Sequence, residues 1–201
     1  SSKGAISIWA ADSVCILGST FKNNIAGGYA GGFNANNINH LIIDDSKFID
    51  NICASGSGGG ISLDDINTGI FSNNILVGNI SENGLGGGLC LWKDANIDII
   101  GCTFADNSAQ NSSEILIKHN SHCTITNTII GNDEPANLIG LFDDYWQDIE
   151  EDEGSTLTIN HSNVLGGLSS IYIDTLSSIT LYDTSTVITT DPLFCNPDSS
   201  D

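Results

Sequence analysis

Lys3-Gly4-Ala5-Ile6-Ser7-Ile8-Trp9 and Gly86-Gly87-Gly88-Leu89-Cys90-Leu91-Trp92 are two copies of one pattern, set 83 residues apart. Fifteen residues after Ile6 stands Phe21, and fifteen after Leu89 stands Phe104; three further on come Asn24 and Asn107. Two more copies fill the interval. Ala30-Gly31-Gly32-Phe33 leads to Phe48 and Asn51, and Gly58-Gly59-Gly60-Ile61 leads to Leu76 and Asn79. A fifth copy runs from Glu114-Ile115-Leu116-Ile117 to Ile129 and Asn132, read with one residue deleted. The anchors Ile6, Phe33, Ile61, Leu89 and Ile115 are separated by 27, 28, 28 and 26 residues. A fixed period of this length is the signature of a stacked repeat.

Each unit reads the same way. The Gly-Gly pair permits a sharp turn where a Cβ would clash. Alternation follows, as in Ile6-Ser7-Ile8 or Ile61-Ser62-Leu63, and sends the aliphatic side chains to one face. A second alternating run comes next, Val14-Cys15-Ile16 or Ile97-Asp98-Ile99, and the Phe or Leu ahead of the Asn opens a third short segment. Nothing between these runs has the length and apolar pattern of a helix. The copies therefore stack as parallel strands about 4.8 Å apart, and only the stack buries a core. The expected fold is all-β: a right-handed parallel β-helix of 26–28-residue coils forming one domain over residues 1–201. Asn24, Asn51, Asn79, Asn107 and Asn132 are expected to stack at one turn, their amides bonding along the axis.

Regular coils are expected over 1–132. Residues 133–154 hold nine acids and no base, and are expected to project from a turn as a loop or short helix. Strand alternation resumes at Thr156-Leu157-Thr158-Ile159, so 155–201 reads as final coils and a tail. The chain opens on a strand-like run without a basic start, as expected of a mature or excised segment.

Charge narrows the partners. There are 25 acids against 5 lysines and no arginine, a formal net charge of −20. Such a surface repels phosphate backbones, which excludes nucleic acid as a partner class, and it suits hard cations such as Ca²⁺. No apolar run approaches the roughly 20 residues of a membrane-spanning helix.

Gly-Gly-x-[Ile/Leu] paired with Phe-x-x-Asn resembles the repeats of polymorphic outer membrane proteins and related secreted β-helix proteins. Phe21-Lys22-Asn23-Asn24, Phe48-Ile49-Asp50-Asn51 and Phe104-Ala105-Asp106-Asn107 carry that likeness. So do Ser162-Asn163-Val164-Leu165-Gly166-Gly167 and Asp191-Pro192-Leu193-Phe194 near the end. The resemblance implies a pectin-lyase-like fold on a secreted or cell-surface protein with an adhesive or structural role. The acidic segment, the missing arginine and the lack of a membrane-anchoring barrel depart from it.

Catalytic candidates are sparse. Lyases of this fold commonly use an arginine base, absent here; Lys93 and Lys118 are the nearest substitutes and read more simply as exposed, solubilising residues. Asp44-Asp45, Asp64-Asp65 and Asp143-Asp144 mimic paired carboxylates, yet neighbours on a strand face opposite ways. In the repeat alignment Asp45 falls opposite Gly18 and Asn73, and Asp64 opposite Trp9 and Trp92, so no carboxylates converge. His40, His119, His122 and His161 do not assemble a zinc set. Cys15 and Cys123 take nearly the same place around coils some 19 Å apart, beyond the roughly 7 Å a disulfide spans; mostly free thiols are expected, with Cys195 undecided. Asp143, Asp144, Asp148, Glu151 and Asp152 are the candidate Ca²⁺ ligands, although without a calcium-loop spacing. Trp9 and Trp92 share one repeat position and are candidates for stacking on sugar rings. Asn79-Ile80-Ser81, Asn111-Ser112-Ser113 and Asn160-His161-Ser162 are sequons.

The sequence thus points to a non-enzymatic extracellular or cell-surface segment with an adhesive or structural role, its partner a surface protein or polysaccharide. Two alternatives stand beside it: a module that binds or cleaves polysaccharide, and a filament subunit that self-associates by stacking coils head to tail.

Overall fold

In a computed structural model, which describes residues 4–132, 137–143 and 154–191, the alternating runs become the walls of a rod. In the first three coils two runs fuse into a single bent strand: Ile6–Leu17, Phe33–Asp44 and Ile61–Ser72. The bend falls at Ala10, Asn37 and Asp65, whose φ angles are 56°, 56° and 54°. One left-handed residue is enough to turn the corner, and Asn and Asp tolerate that conformation better than most. Later coils break at the same corner, giving Leu89–Leu91 with Asn96–Ile100 and Ile115–Lys118 with His122–Thr126. A third wall stacks Thr20–Lys22, Lys47–Ile49, Ile75–Val77, Thr103–Ala105, Ile129–Gly131 and Asn163–Val164. A shorter strip, Ile25–Ala26, Ile52–Cys53, Ile80–Leu85 and Ser108–Asn111, completes the circuit.

Every strand pairing is parallel, and the anchors form one continuous row from Ile6 through Phe33, Ile61, Leu89 and Ile115 to Ile139 and Ile171. The molecule is a parallel β-solenoid of about six turns. Its core is a set of axial stacks. Phe21 lies flat on Phe48, ring centroids 4.7 Å apart, and Leu76, Phe104, Ile130 and Val164 continue that column.

Two expectations change at the fifth and sixth coils. Ile139–Phe142, within the stretch expected to project, is a strand in register with Ile115–Lys118. Four residues ahead of a run of acids were too few to show their alternation. The fifth Asn is also out of register. Phe104 pairs with Ile130, not Ile129, so Asn132 falls one step off Asn107. Ile130 is fully buried and Ile129 is not; the choice between two adjacent isoleucines misplaced the deletion.

The other four asparagines form a ladder inside the rod. The Nδ2 of Asn24 donates to Asn51 Oδ1 at 2.8 Å, that of Asn51 to Asn79 Oδ1 at 2.9 Å, and that of Asn79 to Asn107 Oδ1 at 2.8 Å. Each Oδ1 also accepts the backbone N–H of the asparagine before it. The second Nδ2 hydrogen of Asn51, Asn79 and Asn107 goes to the carbonyls of Phe21, Phe48 and Leu76. Buried amides are tolerated because the ladder leaves none of these groups unpaired.

Glycine makes room for the ladder. A Cβ on Gly60 would lie 2.7 Å from the Gly88 carbonyl and 3.1 Å from the Asn79 amide carbon. Gly60 and Gly88 have no positive φ, so space rather than turn geometry demands glycine at both. Glu114 occupies that row in the fifth coil, one position before the anchor Ile115. With the fifth Asn out of register, the Glu114 carboxyl enters the vacant rung. It accepts Asn107 N and Asn132 Nδ2 on one oxygen and Asn107 Nδ2 on the other.

Burial pushes the Glu114 carboxyl up to about 8, outweighing the bonds from Asn107 and Asn132, which pull it down from 4.5. A carboxyl raised in the fold favours the protonated native state. Its contribution is complete below 4.5 and disappears as pH rises through 8.

Asn79→Ala leaves the Asn51 N–H without its acceptor and takes one bond each from Asn51 Nδ2, Phe48 O and Asn107 Oδ1; at about 1–3 kcal/mol per buried orphan, the loss is on the order of 3 kcal/mol. Denaturant melts should show Asn24→Ala, at the half-buried end of the ladder, costing distinctly less. Stability measured from pH 5 to 9 should decline through pH 6–8, and Glu114→Gln should flatten that decline. A wild-type curve flat over the same range contradicts the assignment to Glu114.

Candidate functional site

The outward faces of the first wall repeat at fixed positions, so neighbouring coils assemble a surface row. Trp9 pairs with Asn36, and Asn36 with Asp64. Trp92 follows at the same level, since its N–H bonds the Leu63 carbonyl just ahead of Asp64. Beside this row runs Ser7, Asn34, Ser62 and Cys90. The turns at Gly28-Tyr29 and Ser55-Gly56-Ser57 and the strand end Asn83-Gly84-Leu85 rise along one edge. Together they enclose a groove of about 720 Å³ that crosses coils one to four.

An aromatic stands at each end of the groove. Trp9 and Tyr29 are about half exposed and meet edge to face at 5.9 Å, while the Trp9 indole N–H donates to Ser7 Oγ at 3.0 Å. Trp92 lies three coils away, roughly 14 Å along the axis. It packs against His119 at 5.4 Å and carries the Lys118 ammonium 5.1 Å above its ring, a cation–π contact. Amides and hydroxyls floor the middle. Asn34 Nδ2 donates to Ser7 Oγ at 3.1 Å, and Asn36 Nδ2 to Asp64 Oδ2 at 2.6 Å. Burial pushes the Asp64 carboxyl above its ordinary value, against the Asn36 bond and the charge of Lys93.

The other candidates separate. Lys118, expected to be exposed, is buried: its position follows Trp92 in the outward row, and the indole covers it. Lys93 is exposed and 3.8 Å from Asp94. The second residue of each of the pairs Asp44-Asp45 and Asp64-Asp65 is a corner residue, with φ of 48° and 54°. That position explains the dipeptides structurally. Gly18, Asp45, Asn73, Gly101, Asn127 and His161 likewise all adopt positive φ at one corner.

Asp143 is buried rather than part of a solvated charge run. Its oxygens accept Asn120 N, Ser155 N, Ser155 Oγ and Ser177 Oγ. The carboxylate thus clamps residue 143 to residue 155 and brings the two ends of the acidic segment together. Asp144, Asp148, Glu151 and Asp152 lie outside the described residues. Among the described residues no three His, Cys, Asp or Glu side chains gather as a metal set. His40 and His122 each bond a threonine of the next coil, Thr68 at 2.9 Å and Thr156 at 2.8 Å.

Cys15, Cys53, Cys90, Cys102 and Cys123 carry free thiols, and all but Cys15 are buried. Cys15 pairs with Ile42, whereas Cys123 belongs to the inward row of Ile97 and Leu157. The two cysteines therefore face opposite ways, one step apart in the repeat. Cys195 lies outside the described residues. The sequon residue Asn79 is fully buried within the ladder, which leaves its amide nitrogen no room for a glycan.

A parallel β-solenoid with an aromatic-ended groove on its first wall is the class that fold and site define. No family model and no curated protein matches the chain.

In a Cys195→Ser background, a water-soluble thiol reagent should label native protein at Cys15 alone. Burial pushes the thiols of Cys53, Cys90, Cys102 and Cys123 up, that of Cys90 to about 12, and only the thiolate reacts. Mass spectrometry after denaturation should recover the remaining four; fast native labelling at Cys90 or Cys123 contradicts the burial.

Proposed function

We propose that the protein is an adhesive, non-enzymatic rod of a cell surface or extracellular space that binds polysaccharide along the groove between Trp9 and Trp92. The groove carries this reading. Aromatic faces spaced along one axis suit a chain of sugar rings, each offering an apolar face and a polar edge. Asn34, Asn36, Ser57, Ser62 and Asn83 line it with the amides and hydroxyls that pair with sugar hydroxyls. The rod's periodic surface suits a linear polymer better than a compact small molecule.

Binding is favoured over cleavage by the acids that line the groove. Glycosidases place two carboxyl groups roughly 5–9.5 Å apart, and Asp64 is the single carboxylate among the described groove residues. The likeness of the Gly-Gly-x-[Ile/Leu] and Phe-x-x-Asn repeats to those of secreted and surface β-helix proteins supports an extracellular setting.

A panel of immobilised linear polysaccharides tests the proposal. At least one should retain the protein, and Trp9→Ala should weaken binding about tenfold or more, as for an aromatic anchor. Prolonged incubation should release no new reducing ends or unsaturated sugars. Retention unchanged by both Trp9→Ala and Trp92→Ala, or release of sugar products, overturns it.

A further inference from the structure

The groove row reads Trp9, Asn36, Asp64, Trp92: a carboxylate set between two indoles. Asp64 is half-buried, and among the described residues the hydrogen bond its carboxylate receives comes from the neutral Asn36 amide. The two ion pairs among the described residues, Lys22 with Asp50 and Lys93 with Asp94, leave it out. Lys93 acts on it only at longer range, and Asp65 and Asp94 add negative charge nearby. A desolvated carboxylate of this kind has an unmet need for a cation. Trp9 and Tyr29 favour the same charge, because indole and phenol faces attract ammonium groups; the Trp92 ring already carries the Lys118 ammonium. The overall charge of −20 draws cations toward the surface and repels polyanions.

We propose that the glycan of this groove is an amino-bearing one, a polymer of unacetylated or partly deacetylated amino sugars, with a protonated amine on Asp64 and sugar faces on Trp9 and Trp92. The inference rests on the glycan-binding reading of the same groove and adds its substrate class. The amine sits where the row supplies negative charge, and the hydroxyls flanking it meet Asn36 and Ser62. Acidic polysaccharides are disfavoured twice, by Asp64 locally and by the field of the whole rod.

Calorimetry on the full chain at pH 6 with three β-1,4-linked hexamers separates the two levels of the proposal. The probes are a glucosamine hexamer, an N-acetylglucosamine hexamer and a glucose hexamer. The glucosamine hexamer should bind about tenfold tighter than the other two, a difference of roughly 1.4 kcal/mol, and added salt should shrink the gap. Asp64→Asn, which keeps an oxygen for the Asn36 amide, should abolish the preference. Asp98→Asn, an exposed acid on another wall, should preserve it. Trp9→Ala should weaken all three hexamers. Equal binding of the three hexamers, or a preference that survives Asp64→Asn, overturns the amine assignment; the groove reading then stands if Trp9→Ala still weakens binding. Failure of every hexamer to bind overturns both.

Discussion

A parallel solenoid has to pair its backbone along one axis. Each N–H in a wall finds its carbonyl one coil away, and the corners between walls, where that regularity fails, need other partners. In this protein side chains take over at the corners, again one coil away. The asparagine ladder is the longest case: each amide accepts the backbone N–H of the coil before it and donates into the coil after it. The glycine row, the buried glutamate and the order of the first wall's surface residues all follow from keeping those axial contacts in step. A slip of one residue would leave buried donors unpaired at every level.

A second ladder shows why some of this was illegible in the sequence. Ser46, Asn74, Cys102, Thr128 and Ser162 succeed one another at a single corner, each side chain accepting a backbone N–H from the preceding coil. Four residue types share one task, since any small side chain with an acceptor atom can perform it. The asparagine column was visible because it repeats one letter. The Ser-Asn-Cys-Thr-Ser column repeats only a geometry. Glu114 hid for a related reason: it stands where the three coils before it have glycine, and its role appears only once Asn132 is seen to be out of register.

The groove was half legible. Period and anchors put Trp9, Asp64 and Trp92 in a single row, and the pairings of the first wall keep them there. That alignment told against a carboxylate cluster while holding the elements of a different site. What it lacked was the second edge. Gly28, Gly56 and Gly84 recur every 28 residues, but the residues around them differ, so the rise of 28–29, 55–57 and 83–85 beside the row shows only in three dimensions. Asp143 stayed hidden from composition altogether, because one buried clamp looks like any other member of an acidic run.

The asparagine ladder also has a direction. All its amides point the same way, oxygens toward the first coil and nitrogens toward the last, so their dipoles add along the rod. Such a column must end on an acceptor, and Glu114 is that end. A duplicated coil inserted among the first four would extend the column without changing its termini. One inserted beyond Asn107 would separate the last amide from its carboxyl. The rod is therefore easier to lengthen ahead of Asn107 than between Asn107 and Glu114, and the ladder has a defined end at which it stops being modular.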